Sequence, residues 1–242
     1  ILALAMAEGR DYRDTPNFWF RDDKLSDGNR GNGGGEVGGG GAVVRNPLAD
    51  RSPDLDRLPY PDYDFSHQSI LHGARIHPLS YALARHYPPY NRDTHFVFSS
   101  RGCAFRCSYC CSPLAADLAG GPFLRRREPE MVVKELEEAL ERFPQLKCIM
   151  FCDDDFIAAD AAWQEEFIRL YTEKIALPFM CAGNPVHINA DTLARLTRAG
   201  LVGLGAGIQS YSETVRRTIF NRQTSDRRMD AAIEDIARFD EA

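Results

Sequence analysis

Three cysteines fall within eight residues, Cys103-Ala-Phe-Arg-Cys107-Ser-Tyr-Cys110. Thiolates are the soft ligands that iron–sulfur clusters and zinc prefer. A C-x3-C-x2-C loop is short enough to wrap one cuboidal object and bring a thiolate to three of its corners. A structural zinc site takes four closed ligands, usually as two separated pairs. No second pair is present here, and Cys111 directly follows Cys110, an awkward geometry for joint chelation. The spacing therefore points to a [4Fe–4S] cluster with one iron left open for chemistry. Two other classes stay in view: an iron–sulfur electron-transfer module, which would normally use a fourth cysteine, and a zinc-binding interaction domain. The other cysteines, Cys111, Cys148, Cys152 and Cys181, are expected to be small buried hydrophobes.

Further polar residues stand where strands end. Asp153, Asp154 and Asp155 follow an apolar run, and three adjacent acids repel one another if all are buried. At least one is expected to face a ligand; strand alternation can place only Asp153 and Asp155 on the same side. Gly203, Gly205, Gly207 and Gln209 share one face of a later strand, opposite Val202, Leu204, Ala206 and Ile208. Glycines aligned on one face suggest that something bulky approaches the backbone there. Gln209 and Asn184 can both donate and accept hydrogen bonds. Arg125-Arg126-Arg127 reads as a solvated run.

The elements that must position these residues begin at residue 94. Candidate strands at 95–100, 147–152, 179–183 and 202–209 alternate with candidate helices at 130–142, 160–174, 190–199, 213–220 and 225–240. Asp160 and Asp191 suit N-caps, Pro129 a first turn and Gly200 a C′ position. Repeated βα units imply a parallel sheet, either open and doubly wound or part of a (βα) barrel. Both bind ligands at the carboxyl ends of their strands. Upstream, Phe18–Phe20 and Ala42–Val44 read as short strands around a loop holding nine of the 19 glycines. The G-x-G-x-x-G match at Gly33, Gly35 and Gly38 lacks a strand before it and a helix after it, so it is read as loop. Ile1–Ala7 followed by Gly9 looks like the end of a helix. Leu58–Phe65 is a proline-punctuated extended linker. His67, His72, His77 and His86 follow no ligand spacing and are expected at the surface.

The C-x3-C-x2-C loop after a first strand, with Tyr109 before its third cysteine, resembles the radical S-adenosylmethionine (SAM) superfamily. Phe151-Cys-Asp-Asp-Asp-Phe156 is similar to the F-x-D-D-x-F pattern of that superfamily's cobalamin-associated branch. Gly205-Ala-Gly-Ile-Gln-Ser210 and Asn221-Arg222 resemble its fourth-strand and later elements, and Leu58–Phe65 its interdomain linker. The resemblance implies an α/β fold: a partial (βα) TIM-like barrel of the radical SAM type, truncated, after an extended linker and hairpin region. It divides the chain into 1–65, the end of a preceding, cobalamin-binding domain with hairpin and linker; 66–93, a connecting segment; and 94–242, an incomplete core. It implies a [4Fe–4S] cluster on Cys103, Cys107 and Cys110, and a SAM pocket lined by Asp153, Asp154, Asn184, Gln209 and Arg222. Reductive cleavage of SAM to a 5′-deoxyadenosyl radical would then act on a small-molecule substrate, with electrons from a flavodoxin- or ferredoxin-like donor. Asp-x-His-x-x-Gly, the signature of cobalamin domains, is absent, so any cobalamin would come from an upstream domain.

Composition fits this reading. The 242 residues carry net charge −6, which disfavours a nucleic-acid surface. The uncharged stretch at 199–212 is shorter than the roughly 18 apolar residues a membrane span needs. Seven cysteines, an odd number, suit a reducing, cytoplasmic setting.

Overall fold

The structure, a computed structural model, describes residues 9, 13, 15–22, 42–49, 52–87, 93–118, 120 and 124–240. The expected helix end at 1–7 and the glycine-rich segment 28–41, with its G-x-G-x-x-G match, lie outside them. Two compact units are present, Ile1–Arg51 and Ser52–Ala242. In the first, strands β1 (Trp19–Asp22) and β2 (Ala42–Arg45) pair antiparallel, as the two short apolar runs predict. The register sets Trp19 opposite Arg45, whose guanidinium lies 4.9 Å from the indole centroid.

The second unit opens with segment 52–65, then a hairpin of β3 (Ser69–His72) and β4 (Arg75–Pro78) and the short helix α1 (Tyr81–Ala84). No periodicity marks this hairpin in the sequence. Its turn uses positive φ at both Gly73 and Ala74, and Leu71 and Ile76 face solvent together, so no buried stripe forms. Of the four histidines here, His67, His72 and His86 are exposed and His77 is half-buried.

The core of this unit is a four-stranded parallel sheet of β5 (Thr94–Val97), β8 (Cys148–Phe151), β9 (Phe179–Gly183) and β10 (Leu201–Ala206). The strands lie side by side in chain order, which is the winding of a (βα) barrel rather than the reversing order of a doubly wound sheet. A small ribbon of β6 (Ser100–Arg101) and β7 (Arg125–Arg126) branches off beyond β5. Connecting helices are α2 (Cys111–Leu118), α3 (Pro129–Arg142), α4 (Ala161–Lys174), α5 (Ala190–Arg198) and α6 (Asp226–Asp240). Pro129 opens α3, Asp160 caps α4 by accepting from Trp163 N at 2.9 Å, and Gly200 ends α5 with φ +109°. The cap of α5 is Asn189, which accepts from Thr192 N at 2.9 Å, and not Asp191. Asp191 falls inside the first turn, where its charge still favours the helix dipole. The expected helix 213–220 is helical over 213–219, with a π-helix at Val215–Ile219.

One sheet face is covered by helices. Val97, Ile149, Phe151, Phe179, Cys181 and Leu201 pack against Val132, Leu136, Phe167, Tyr171, Leu193 and Leu196. Phe151 is enclosed by four aromatic rings, those of Phe156, Phe167, Tyr171 and Phe179, at centroid distances of 4.5–6.3 Å. Alternation then leaves Phe96, Met150, Met180 and Gly203 on the other, half-buried face. Leu204 and Ala206 turn to the core as expected, but Val202 is 60% exposed. A register irregularity between Leu201 and Gly203 lets Leu201 take the core position instead. A second cluster of Tyr63, Ala84, Ala139, Phe143 and Leu146 binds the 52–65 segment to α3.

Candidate functional site

The cysteine loop leaves β6 at the carboxyl end of the sheet and runs into α2. Cys103 is half-buried, Cys107 buried and Cys110 exposed. Burial pushes the Cys103 thiol up, opposed by a hydrogen bond from the Phe105 backbone and reinforced by the Asp154 and Asp155 charges. Among the described residues, no three His, Cys, Asp or Glu side chains converge where one metal ion could sit. One zinc would need its thiolates within about 4 Å of one another, given Zn–S bonds near 2.3 Å. A cuboidal cluster instead takes each thiolate at a separate corner.

The loop is held from two sides. At its root, Asp153, 3% exposed, accepts from Ser99 N at 3.1 Å, from Ser99 Oγ at 2.8 Å and from Ser100 Oγ. Arg126 Nη1 donates to Ser99 Oγ at 3.1 Å, and its guanidinium lies 4.9 Å from the Trp163 ring centroid. Burial lowers the Arg126 pKa, while Asp153, Asp155 and Asp160 oppose that shift. The Arg125–Arg127 run is thus not solvated. All three residues are half-buried, Arg125 donates to Ser52 O, and Arg127 pairs with buried Glu135. Arg125 and Arg126 find their partners 73 and 27 residues away, so composition could not reveal their burial.

Along its middle the loop is clamped by residues 219–222. Ser108 N donates to Phe220 O at 3.0 Å, Ser108 Oγ to Ile219 O at 2.5 Å, and Asn221 Nδ2 to Arg106 O at 2.8 Å. Tyr109 meets Phe220 edge-on with centroids 5.1 Å apart. Asn221 has φ +48°, a left-handed turn that its short polar side chain tolerates. Arg222, 7% exposed, donates to Gly207 O at 2.6 Å, to Tyr109 OH at 3.2 Å and to Cys107 Sγ at 3.9 Å.

The other sequence-predicted residues ring the same end of the sheet. Asp154 is exposed, with Ser112 Oγ of α2 at 3.4 Å. Asp155 is buried; it accepts from Asn184 N at 3.1 Å and lies 2.8 Å from His187 Nδ1. Asn184, 6% exposed, accepts from Val186 N at 3.2 Å in a tight turn after β9. Gln209 is exposed with φ +65°. A Cβ on Gly207 would come 3.0 Å from Gln209 Nε2, the end of an exposed side chain that can turn aside. At Gly203 the close neighbour is Met180, 3.0 Å from a built Cβ. Sequence reasoning missed Ser99, Ser100, Arg126, Tyr109 OH and His187 as partners; only adjacency to the cysteine motif hinted at the two serines. Cys111 is exposed at the start of α2, while Cys181 is buried and Cys148 and Cys152 half-buried.

The soft donor set, a loop fixed at root and middle, and a buried Arg222 beside Cys107, whose Nε has no hydrogen-bond partner among the described residues, together suit an anionic metal cluster. No curated protein matches the chain. Among solved structures, the chain is similar to a radical S-adenosylmethionine methyltransferase, TsrM, from Kitasatospora setae with tryptophan substrate and a SAM analog (aza-SAM) bound, at TM-score 0.63 and 17% identity. A second TsrM structure, with cobalamin and [4Fe–4S] cluster bound, matches at TM-score 0.59 and 15% identity. Each match covers 99% of this chain but only 41% and 42% of the TsrM chains, so the sequence spans about two-fifths of their length. The profile of the Radical SAM superfamily matches residues 97–237, more than half of the 242 residues, and the chain belongs to that superfamily.

Proposed function

We propose that this chain is the core of a radical SAM enzyme, with Cys103, Cys107 and Cys110 as ligands of a [4Fe–4S] cluster. The observation that carries this reading is the C-x3-C-x2-C loop at the carboxyl end of a barrel-ordered sheet, fastened by Asp153 beneath and by residues 219–222 alongside. When bound, the cluster supplies the electron that splits SAM into methionine and a 5′-deoxyadenosyl radical. The protein positions and shields that chemistry. Asp153 acts through Ser99 and Ser100, fixing where the loop leaves the sheet. Asp154, the exposed acid of the three, would accept from the SAM amino group. Asn184 and Gln209 offer amide groups to its carboxylate or ribose, and Arg222 borders the same pocket from the Cys107 side.

The substrate is a small molecule, and the electron comes from a flavodoxin- or ferredoxin-like donor in the cytoplasm. Likeness to TsrM favours methyl transfer over ring formation or rearrangement, with cobalamin, where used, held by another domain. Reconstitution of the full-length protein with iron and sulfide under anaerobic conditions tests the reading. A coloured protein whose reduced electron paramagnetic resonance (EPR) signal changes on adding SAM is expected. The triple variant C103A/C107A/C110A should lose the cluster and C111A should keep it. Colourless wild-type protein, or a signal indifferent to SAM, would sink the assignment.

A further inference from the structure

Among the described residues, buried Arg222 has as hydrogen-bond partners a thiol, a phenol and a carbonyl, with no carboxylate. Its buried Nε has no hydrogen-bond partner among them. Among the described residues, the other well-buried arginine, Arg216, behaves differently. It is 0% exposed and reaches Asp226 Oδ1 at 2.5 Å, Thr224 O at 3.0 Å and Ser210 O at 2.8 Å. An unpaired buried charge costs several kcal/mol unless an anion stands beside it. The group Arg222 faces is the buried Cys107 sulfur, 3.9 Å from Nη1. Tyr109 OH and Gly207 O leave the guanidinium little freedom to turn away.

We infer that Arg222 is a positioning residue: the fixed counter-charge to the Cys107 thiolate, which makes one-electron reduction of the cluster on that thiolate easier. This rests on the cluster assignment above. A cuboid of four irons and four sulfides in its oxidised state carries +2, so three thiolates bring it to −1, and one added electron makes it −2. The electron comes from the flavodoxin- or ferredoxin-class donor, and no covalent bond is made or broken in the step. A cation at fixed distance favours the more negative state, and an N–H···S bond to a ligand sulfur acts in the same direction.

The test is a redox titration of the reconstituted full-length protein, followed by EPR, with iron and sulfide content measured alongside. Arg222→Gln should keep the cluster and shift its midpoint potential to a more negative value. Arg222→Lys, which keeps the charge but cannot reach all three partners, should fall between. A fully loaded Arg222→Gln variant with the wild-type potential would overturn the inference. Wild-type protein labelled with guanidino-15N arginine provides a readout that survives a variant failing to fold. Pulsed EPR of its reduced cluster should show 15N coupling, and absence of coupling would overturn the inference. Wild-type protein that loads no cluster would instead defeat the functional assignment itself.

Discussion

Replacing Asp153 by alanine should loosen the root of the cysteine loop, and the cost can be worked from the contacts. The carboxylate is 3% exposed and accepts from Ser99 N, Ser99 Oγ and Ser100 Oγ. A hydrogen bond to a charged group contributes about 1.5–3 kcal/mol, and a buried donor left unpaired costs about 1–3 kcal/mol. The three bonds share one acceptor group and are not additive. Both serines are also nearly fully buried, at 0% and 2% exposure, so water cannot replace the lost acceptor without a rearrangement. Arg126, which donates to Ser99 Oγ, loses a neighbouring negative charge at the same time. The expected loss for Asp153→Ala is about 3–5 kcal/mol. Asp153→Asn keeps one acceptor oxygen but turns an amide N–H toward a donor, for about 1–3 kcal/mol. Urea unfolding of the metal-free protein measures this, with an unchanged m-value as the check that the denatured state is the same. Asp154→Ala is the internal control: the side chain is exposed with one long contact to Ser112, so it should stay within about 0.5 kcal/mol of wild type. An Asp153→Ala loss below 1 kcal/mol, or equal losses at 153 and 154, would refute the argument that the two acids have divided roles.

Two further outcomes follow from other elements. Burial lowers the His95 pKa to about 4, so the folded protein resists protonation that the unfolded chain accepts near 6.5. Stability should be full above pH 6.5 and fall by about 1.4 kcal/mol per pH unit as pH drops toward 4, or about 2 kcal/mol between pH 6.5 and 5. Denaturation of wild type and His95→Gln at both pH values checks this, and equal pH dependence in the two would contradict it. At α5, Asn189→Ala should cost about 1 kcal/mol by removing the cap on Thr192 N, whereas Asp191→Ala should cost less than half of that. Thermal or urea unfolding that ranks the two in the opposite order would return the cap to Asp191.

Much of the scaffold is local in origin, which is why it is legible along the chain. Pro129, Asp160 and Gly200 act on their own helix ends, and apolar runs such as Phe179–Gly183 carry the strand signal within five residues. Asn189 and Asp191 are both good caps two residues apart, and only the backbone geometry decides between them for α5. The register irregularity at Val202 is likewise invisible, since it depends on what β9 offers to β10. At the site, the three thiols and their spacing are contiguous in sequence and so declare themselves.

What surrounds them is not contiguous. The amino-acid sequence by itself determined the set of closely spaced thiols, the βα alternation and the family, because all three are encoded in residue types at short, fixed spacing. Tertiary structure alone decided which acid faces outward, since Asp153 meets serines 54 and 53 residues away and Asp155 meets Asn184 and His187 at separations of 29 and 32. It also drew Arg125–Arg127 inward and set Arg222 against Cys107, 115 residues earlier. A charge is exposed or buried, and paired or unpaired, according to what chain folding brings beside it, and that neighbour is written nowhere near it in the sequence.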